Sequence, residues 1–328
     1  MEGRGRLPIP TQAAGHRPAA ASRRALPKGV ARFPQPRGRR PPGRFPQRSW
    51  RAERATSVPR YFHHMPADTR PTVNANGDAR VNVLGVGVSP INMAEALETI
   101  AGWIARGERH YVCVSGVHGV MESQADPALR QIHNAAGLVT PDGMPLVWLS
   151  RLHGYGTADR VYGPDLMLAL CALSESRQYR HFFYGGAEDV PTVLVARLRE
   201  RFPRLQVAGC ISPPFRQLTT DEDEAIVRQI NQSAADIVWV GLSTPQQERW
   251  MHAHVGRLDA PVLIGVGAAF DFHAGRKKQA PRWMQRSGLE WLFRLGSEPR
   301  RLWRRYLINN PLFVYRVLLQ ASGLRRYD

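Results

Sequence analysis

Cysteine, lysine and long apolar runs are all scarce in this chain of 328 residues. Its three cysteines, Cys113, Cys171 and Cys210, lie far apart with no CxxC pair. That argues against a disulfide scaffold or a structural zinc site and fits a reducing compartment. No run of about 18 uncharged apolar residues exists, which excludes a spanning helix. The first residues hold no continuous apolar core of a secretory signal. Only three of the 45 basic residues are lysine, a skew that reflects GC-rich coding more than an arginine-specific task. Acids are scarce at both ends: residues 1–70 carry 16 Arg and Lys against 3 acids, and residues 275–328 carry 13 against 3. Residues 71–274 carry 16 against 21, so the net charge of +18 divides as +13, −5 and +10 along the chain. A mildly acidic body with two basic ends suggests an anionic partner: nucleic acid, a membrane surface or a phosphorylated substrate.

The length allows one or two domains. Residues 1–77 are expected to be a disordered Arg/Pro-rich tail, because such a composition cannot offset its ordering entropy. Two other readings compete: a transit peptide, or a region upstream of a true start at Met65. The body, 78–275, alternates short β-branched runs with helical text. Val81–Val88 reads as one buried strand, and Asn92 with Glu95 reads as a capping pair opening the next helix. Further strands fall at Tyr111–Val114, Gly137–Thr140, His181–Tyr184, Leu205–Ala208, Ile237–Val240 and Val262–Val266. The pattern predicts an α/β fold: a Rossmann-like, mostly parallel sheet with helices on both faces. Ligands then belong beyond the carboxyl ends of the strands, at Ser115–His118, Pro141–Gly143, Gly185–Ala187, Gly241–Glu248 and Gly267–Asp271. Residues 276–328 form a basic, aromatic, helical appendage.

Three local patterns invite chemistry, each with a plainer reading beside it. Gly85-x-Gly87 lacks the third glycine of a dinucleotide fingerprint and reads better as a tight strand-to-helix turn. Glu248 and His252 share a helix face with His254 nearby, but no complete metal-ligand set is present, and a solvated face explains them. Pro141-Asp142-Gly143 is ordinary turn chemistry. It also places a carboxylate at the end of a central strand, where a cleft can shift its pKa toward general-base work.

Read in order, TPDGMPLVW (140–148), RVYGPDLM (160–167), FYGGA (183–187), GLSTPQQERW (241–250), GVGAAFDFHAG (265–275), GLEWLFRL (288–295) and EPRRLWRRYLINNP (298–311) closely resemble the WecG/TagA/CpsF glycosyltransferases. The resemblance spans about Val81 to Leu319. It implies an inverting transfer of a hexose or N-acetylhexosamine (N-acetylmannosamine, N-acetylmannosaminuronic acid or glucose type) from a UDP-sugar. The implied acceptor is a polyprenyl-diphosphate-linked sugar, in bacterial cell-surface polysaccharide synthesis at the cytoplasmic face of the plasma membrane. No cofactor and no metal are implied. Asp142 would be the catalytic base. Gln247 would contact the donor, and Glu248 would hold its loop. Gly185 and Gly186 would admit backbone N–H groups to the nucleotide phosphates. Arg301 and Arg305 would neutralise diphosphate charge.

Two departures from the family pattern concern the donor sugar. Gly116 stands where an asparagine is usual, and Gln246 where a lysine is usual; both remove a polar contact and favour a hexose without an N-acetyl group. In the appendage, Trp291, Leu292, Leu295, Leu302, Trp303, Tyr306 and Leu307 read either as a core-facing stripe or as an interfacial segment on anionic lipid. A nucleic-acid-binding protein and a Rossmann-like NAD enzyme are the alternatives. The first lacks any RNP, KH or zinc-finger signature, so no nucleic-acid partner is expected, and the second lacks a complete fingerprint.

Overall fold

A computed structural model of the protein describes residues 72–73 and 77–327. The expectations for residues 1–71, including Met65 as a start, lie outside them. Thr72 and Val73, assigned above to the tail, form a short strand β1 that pairs antiparallel with Arg80 and Ala79.

The single strand expected over Val81–Val88 is instead a hairpin of β2 (Ala79–Val83) and β3 (Val86–Val88). Leu84 and Gly85 both take positive φ, 53° and 82°, as a two-residue primed turn requires. Gly85 thus turns a hairpin rather than joining strand to helix, and Gly87 lies inside β3. Buried Arg80 staples the hairpin to the body by donating to the carbonyls of Gly87, Ala136 and Gly137 at 2.7–2.9 Å.

From there the chain runs α1 (Met93–Arg106), β4 (His110–Ser115), α2 (Val117–Ala125), α3 (Pro127–Ala135), β5 (Leu138–Pro141), α4 (Met144–Leu152) and α5 (Gly163–Arg177). It continues through β6 (Arg180–Gly185), α6 (Val190–Arg201), β7 (Gln206–Ile211), α7 (Thr220–Gln232), β8 (Ile237–Gly241), α8 (Gln246–His254) and β9 (Val262–Gly265). The Asn92–Glu95 capping box forms as expected at the start of α1. Strands β4 to β9 make one all-parallel sheet in the order β5-β4-β9-β8-β6-β7.

Both faces of the sheet are covered, which explains why its strands read as continuous apolar runs. Val112, Val114, Phe183, Trp239 and Ile264 point to a core shared with α1, α5 and α6. Their alternating neighbours Tyr111, Cys113, Phe182, Tyr184, Val240 and Leu263 point to a second core, beneath the hairpin, α2, α4 and α8.

The first core holds a buried polar chain. Trp239 Nε1 donates to His181 Nδ1 at 2.8 Å, so His181 Nε2 carries the proton and donates to Ser174 Oγ, also at 2.8 Å. Burial pushes His181 down to about 3 from an ordinary 6.5. The unfolded chain therefore binds a proton that the folded chain refuses. Stability falls as pH drops from 6.5 toward 3, at about 1.4 kcal/mol per unit from this residue. Urea titrations across that window should show a shallower pH dependence for His181→Gln than for the parent; equal slopes would refute the assignment.

Beyond β9 come α9 (Ala269–His273), α10 (Arg282–Arg286), α11 (Glu290–Ser297), α12 (Pro299–Trp303), a π-helical segment (Arg304–Ile308) and α13 (Asn309–Ala321). The appendage is not a detachable layer. Phe313 and Tyr327 join the second core. Gln320 Oε1 accepts from the Leu84 N–H at 3.0 Å, and the Tyr327 carbonyl accepts from Asn82 Nδ2 at 2.8 Å. No helix among the described residues is long and apolar enough to cross a membrane.

Candidate active site

The carboxyl ends of β4, β5, β8 and β9 open onto two adjoining cavities of about 780 and 550 Å³. The appendage forms their other wall. The larger is mainly apolar, with Trp148, Leu152, Leu289, Leu307, Val314 and Leu318 among its lining. The smaller is polar and cationic, with Gln247, Lys277, Arg301 and Arg304. Val114, His118, Asp142, Thr244, Arg294 and Arg305 line both and so mark the boundary.

Asp142 follows β5 directly, its backbone N–H donating to the Ser115 carbonyl at 3.0 Å. Its half-buried carboxyl is pushed up to about 6, chiefly by burial, with Arg160 pulling the other way and Glu290 reinforcing the rise. Its Oδ1 has no hydrogen-bond partner. Such a group is ionised at neutral pH yet basic enough to take a proton. Beside it, Arg160 donates through Nε to the Asp142 carbonyl and through Nη2 to Glu290 Oε2 at 2.5 Å. The Arg160 guanidinium lies 4.0 Å over the Tyr162 ring, and Tyr162 Oη donates to Glu290 Oε1 at 3.1 Å. His118 is driven down to about 3 by burial and by the neighbouring Arg305 and Arg294, so it is a neutral imidazole here.

The other expected site residues divide. Arg305 sits at the boundary, its Nε shut off from solvent without a partner. Burial lowers its pKa, with Arg294 and Arg301 adding to the fall, which makes the spot welcoming to an anion. Arg301 is exposed on the rim of the polar cavity and pairs with Glu298 at 2.9 Å. Gln247 lines that cavity, but its amide is already engaged: Oε1 accepts from the Gly267 N–H at 2.9 Å and Nε2 donates to Glu248 at 3.0 Å. Glu248 is buried beneath the loop and accepts from Thr244 Oγ1 at 2.9 Å. His252 points elsewhere, its Nδ1 3.2 Å from Tyr111 Oη.

Gly185 and Gly186 line neither cavity. Their conformation answers to β8 instead. Gly185 has φ +124°, and a Cβ there would stand 2.6 Å from the Gly241 carbonyl oxygen, to which the Gly186 N–H donates at 3.0 Å. The appendage stripe is also split: Leu302 and Tyr306 are buried, whereas Leu292, Trp303 and Leu307 are exposed.

Sequence reasoning missed Arg160, Tyr162, Glu290, Arg294 and His118 as site residues. Four lie inside the motifs quoted above, and His118 lies in a strand-end segment. Glu290 carried a further signal, as one of only three acids beyond residue 274.

The family model "Glycosyl transferase WecG/TagA/CpsF family" matches residues 81–327. The N-acetylglucosaminyldiphosphoundecaprenol N-acetyl-β-D-mannosaminyltransferase of Bacillus spizizenii (strain ATCC 23059 / NRRL B-14472 / W23) is 31% identical over 197 residues, 60% of this chain and 74% of that protein. The enzyme of the same name from Staphylococcus aureus (strain MW2) is 26% identical over 250 residues, 76% of this chain and 96% of its own. The matched region holds the whole parallel sheet, Asp142 and the appendage, and the chain belongs to the WecG/TagA/CpsF family of glycosyltransferases.

Proposed function

We propose that the protein transfers a hexose or N-acetylhexosamine from a UDP-sugar to a sugar carried on a polyprenyl diphosphate, with inversion at the transferred carbon. One observation carries the reading: a basic carboxylate stands where an arginine-lined polar cavity meets an apolar one. Phosphates and sugar suit the first, and an isoprenoid chain suits the second. In the reaction, Asp142 takes the proton from the acceptor hydroxyl. That oxygen forms the new bond to the sugar's anomeric carbon. The bond from that carbon to the diphosphate breaks, and UDP leaves with the electron pair. Arg305, and more peripherally Arg301, balance the diphosphate charge. Gln247 and Glu248 hold the Gly267 loop against the donor.

The relatives' names specify an acceptor bearing N-acetylglucosamine and a mannosaminyl donor, and both are proposed as the starting point here. The donor stays open to a plain hexose, because Gly116 leaves space beside the base. A Cβ there would meet nothing nearer than 3.9 Å, at Asp142 Oδ2 and the Gly143 nitrogen. The exposed Trp303 and Leu307, next to Arg300 and Arg304, suit contact with an anionic bilayer at the mouth of the apolar cavity.

The test is transfer from UDP-N-acetylmannosamine and UDP-glucose to a short-chain lipid diphosphate bearing N-acetylglucosamine, followed by mass spectrometry. A disaccharide product with UDP release is expected from one of them. Absence of transfer from any UDP-sugar tested, by protein that binds the acceptor, would overturn the reading.

A further inference from the structure

Glu290 opens α11 and turns its carboxylate back into the body, its side chain only 13% exposed. Arg160 Nη2 lies 2.5 Å from Glu290 Oε2 and 3.7 Å from Asp142 Oδ1. The first is a hydrogen bond; the second is too long for one. The guanidinium is held at its near end by the Asp142 carbonyl and across its face by Tyr162. A displacement of about 1 Å at one nitrogen is therefore all that separates an Arg160 bonded to Glu290 from one bonded to Asp142.

We propose that Glu290 is a positioning residue that holds Arg160 off Asp142, so that docking of α11 leaves the base's Oδ1 free for the acceptor hydroxyl. This rests on the reading of Asp142 as the base. It makes the C-terminal segment a part of proton transfer, in addition to a wall and a source of phosphate-binding arginines.

The groups around Asp142 come from four places. Arg160 and Tyr162 stand just before α5, His118 is on α2, Glu290 and Arg294 are on α11, and Arg305 is in the π-helical segment. His118 stays neutral, and burial with nearby Glu290 keeps the Tyr162 hydroxyl protonated. Arg294 and Arg305 act on the carboxylate through space. Arg160 is thus the partner whose bond to the base Glu290 decides. Removing the Glu290 charge has one sign by either route: it frees Arg160 to bond the carboxylate and takes away a repelling anion. Both stabilise the ionised form of Asp142.

The experiment uses the full chain labelled with 13C at aspartate carboxyls, the Asp142 resonance being assigned by its loss in Asp142→Asn. In Glu290→Gln the titration midpoint of Asp142 should fall by about one unit or more. The acid limb of kcat/KM should move down with it. In an Arg160→Gln background the same substitution should move the midpoint less than half as far, because no guanidinium remains to swing. Glu290→Asp keeps the charge at shorter reach and should give an intermediate midpoint, which decides the matter even if Glu290→Gln folds poorly. An unmoved midpoint, or equal movement in both backgrounds, would overturn the proposal. Full transfer by Asp142→Asn would instead end the reading of Asp142 as base, while the carboxyl titration still decides the Arg160–Glu290 geometry.

Discussion

Asp142→Asn should lower kcat by a factor of about 10² to 10⁴, the usual contribution of a positioned base. Asparagine fills nearly the same volume and keeps the turn after β5, so melting temperature should change little. The parent enzyme adds a second signature. Because Asp142 is pushed up to about 6, kcat/KM should decline below that pH as the carboxylate takes a proton it must leave free for the acceptor. The variant's residual activity should lack that limb. Near-normal turnover in the folded variant, or a limb that survives the substitution, would remove Asp142 from the role.

Arg305→Gln should cost about 10² to 10³ in kcat/KM, the scale of losing one preorganised donor to developing negative charge. Arg301→Gln should cost less than about tenfold, because an exposed, already paired guanidinium is worth 1 kcal/mol or less. The contrast follows from placement: Arg305 offers an unpartnered Nε at the boundary of the two cavities, whereas Arg301 is tied to Glu298 on the rim. Steady-state kinetics on the two variants, with UDP affinity measured separately, checks both. Equal losses at the two positions would mean that the diphosphate lies across the rim and away from the boundary.

Much of this architecture is legible in the sequence because its signals are local. The parallel strands announce themselves as unbroken apolar runs, and Asn92 with Glu95 marks the entry to α1. Asp142 stands out because it ends one of those runs. The hairpin at Leu84-Gly85 was not legible: a non-glycine residue at positive φ has no reliable sequence signature, and the flanking valines read straight through the turn. Gly185 and Gly186 carry a related ambiguity. A glycine pair after a strand signals that something comes close to the backbone, but not whether it is a phosphate or, as here, the Gly241 carbonyl. The Arg160–Glu290 pair was out of reach because it joins residues 130 apart in the chain, and no periodicity links them. The appendage stripe runs over three consecutive helical segments, α11, α12 and the π-helical turn, so one spacing does not say which of its members are covered: Leu302 and Tyr306 are, and Leu292, Trp303 and Leu307 are not.

The placement of the two cavities at the carboxyl edge of the sheet has a practical side. No residue of α1 or α6 lines either of them, although both helices cover the first core. Improvements in shelf life and heat tolerance can therefore be sought on their outer surfaces, by surface charge optimisation and better helix formers worth about 0.5–2 kcal/mol each. Tethering chemistry for immobilisation belongs there too, since an anchor on either helix touches no residue that lines the cavities. In this enzyme α1 and α6 can be altered for durability without touching a residue that lines either cavity.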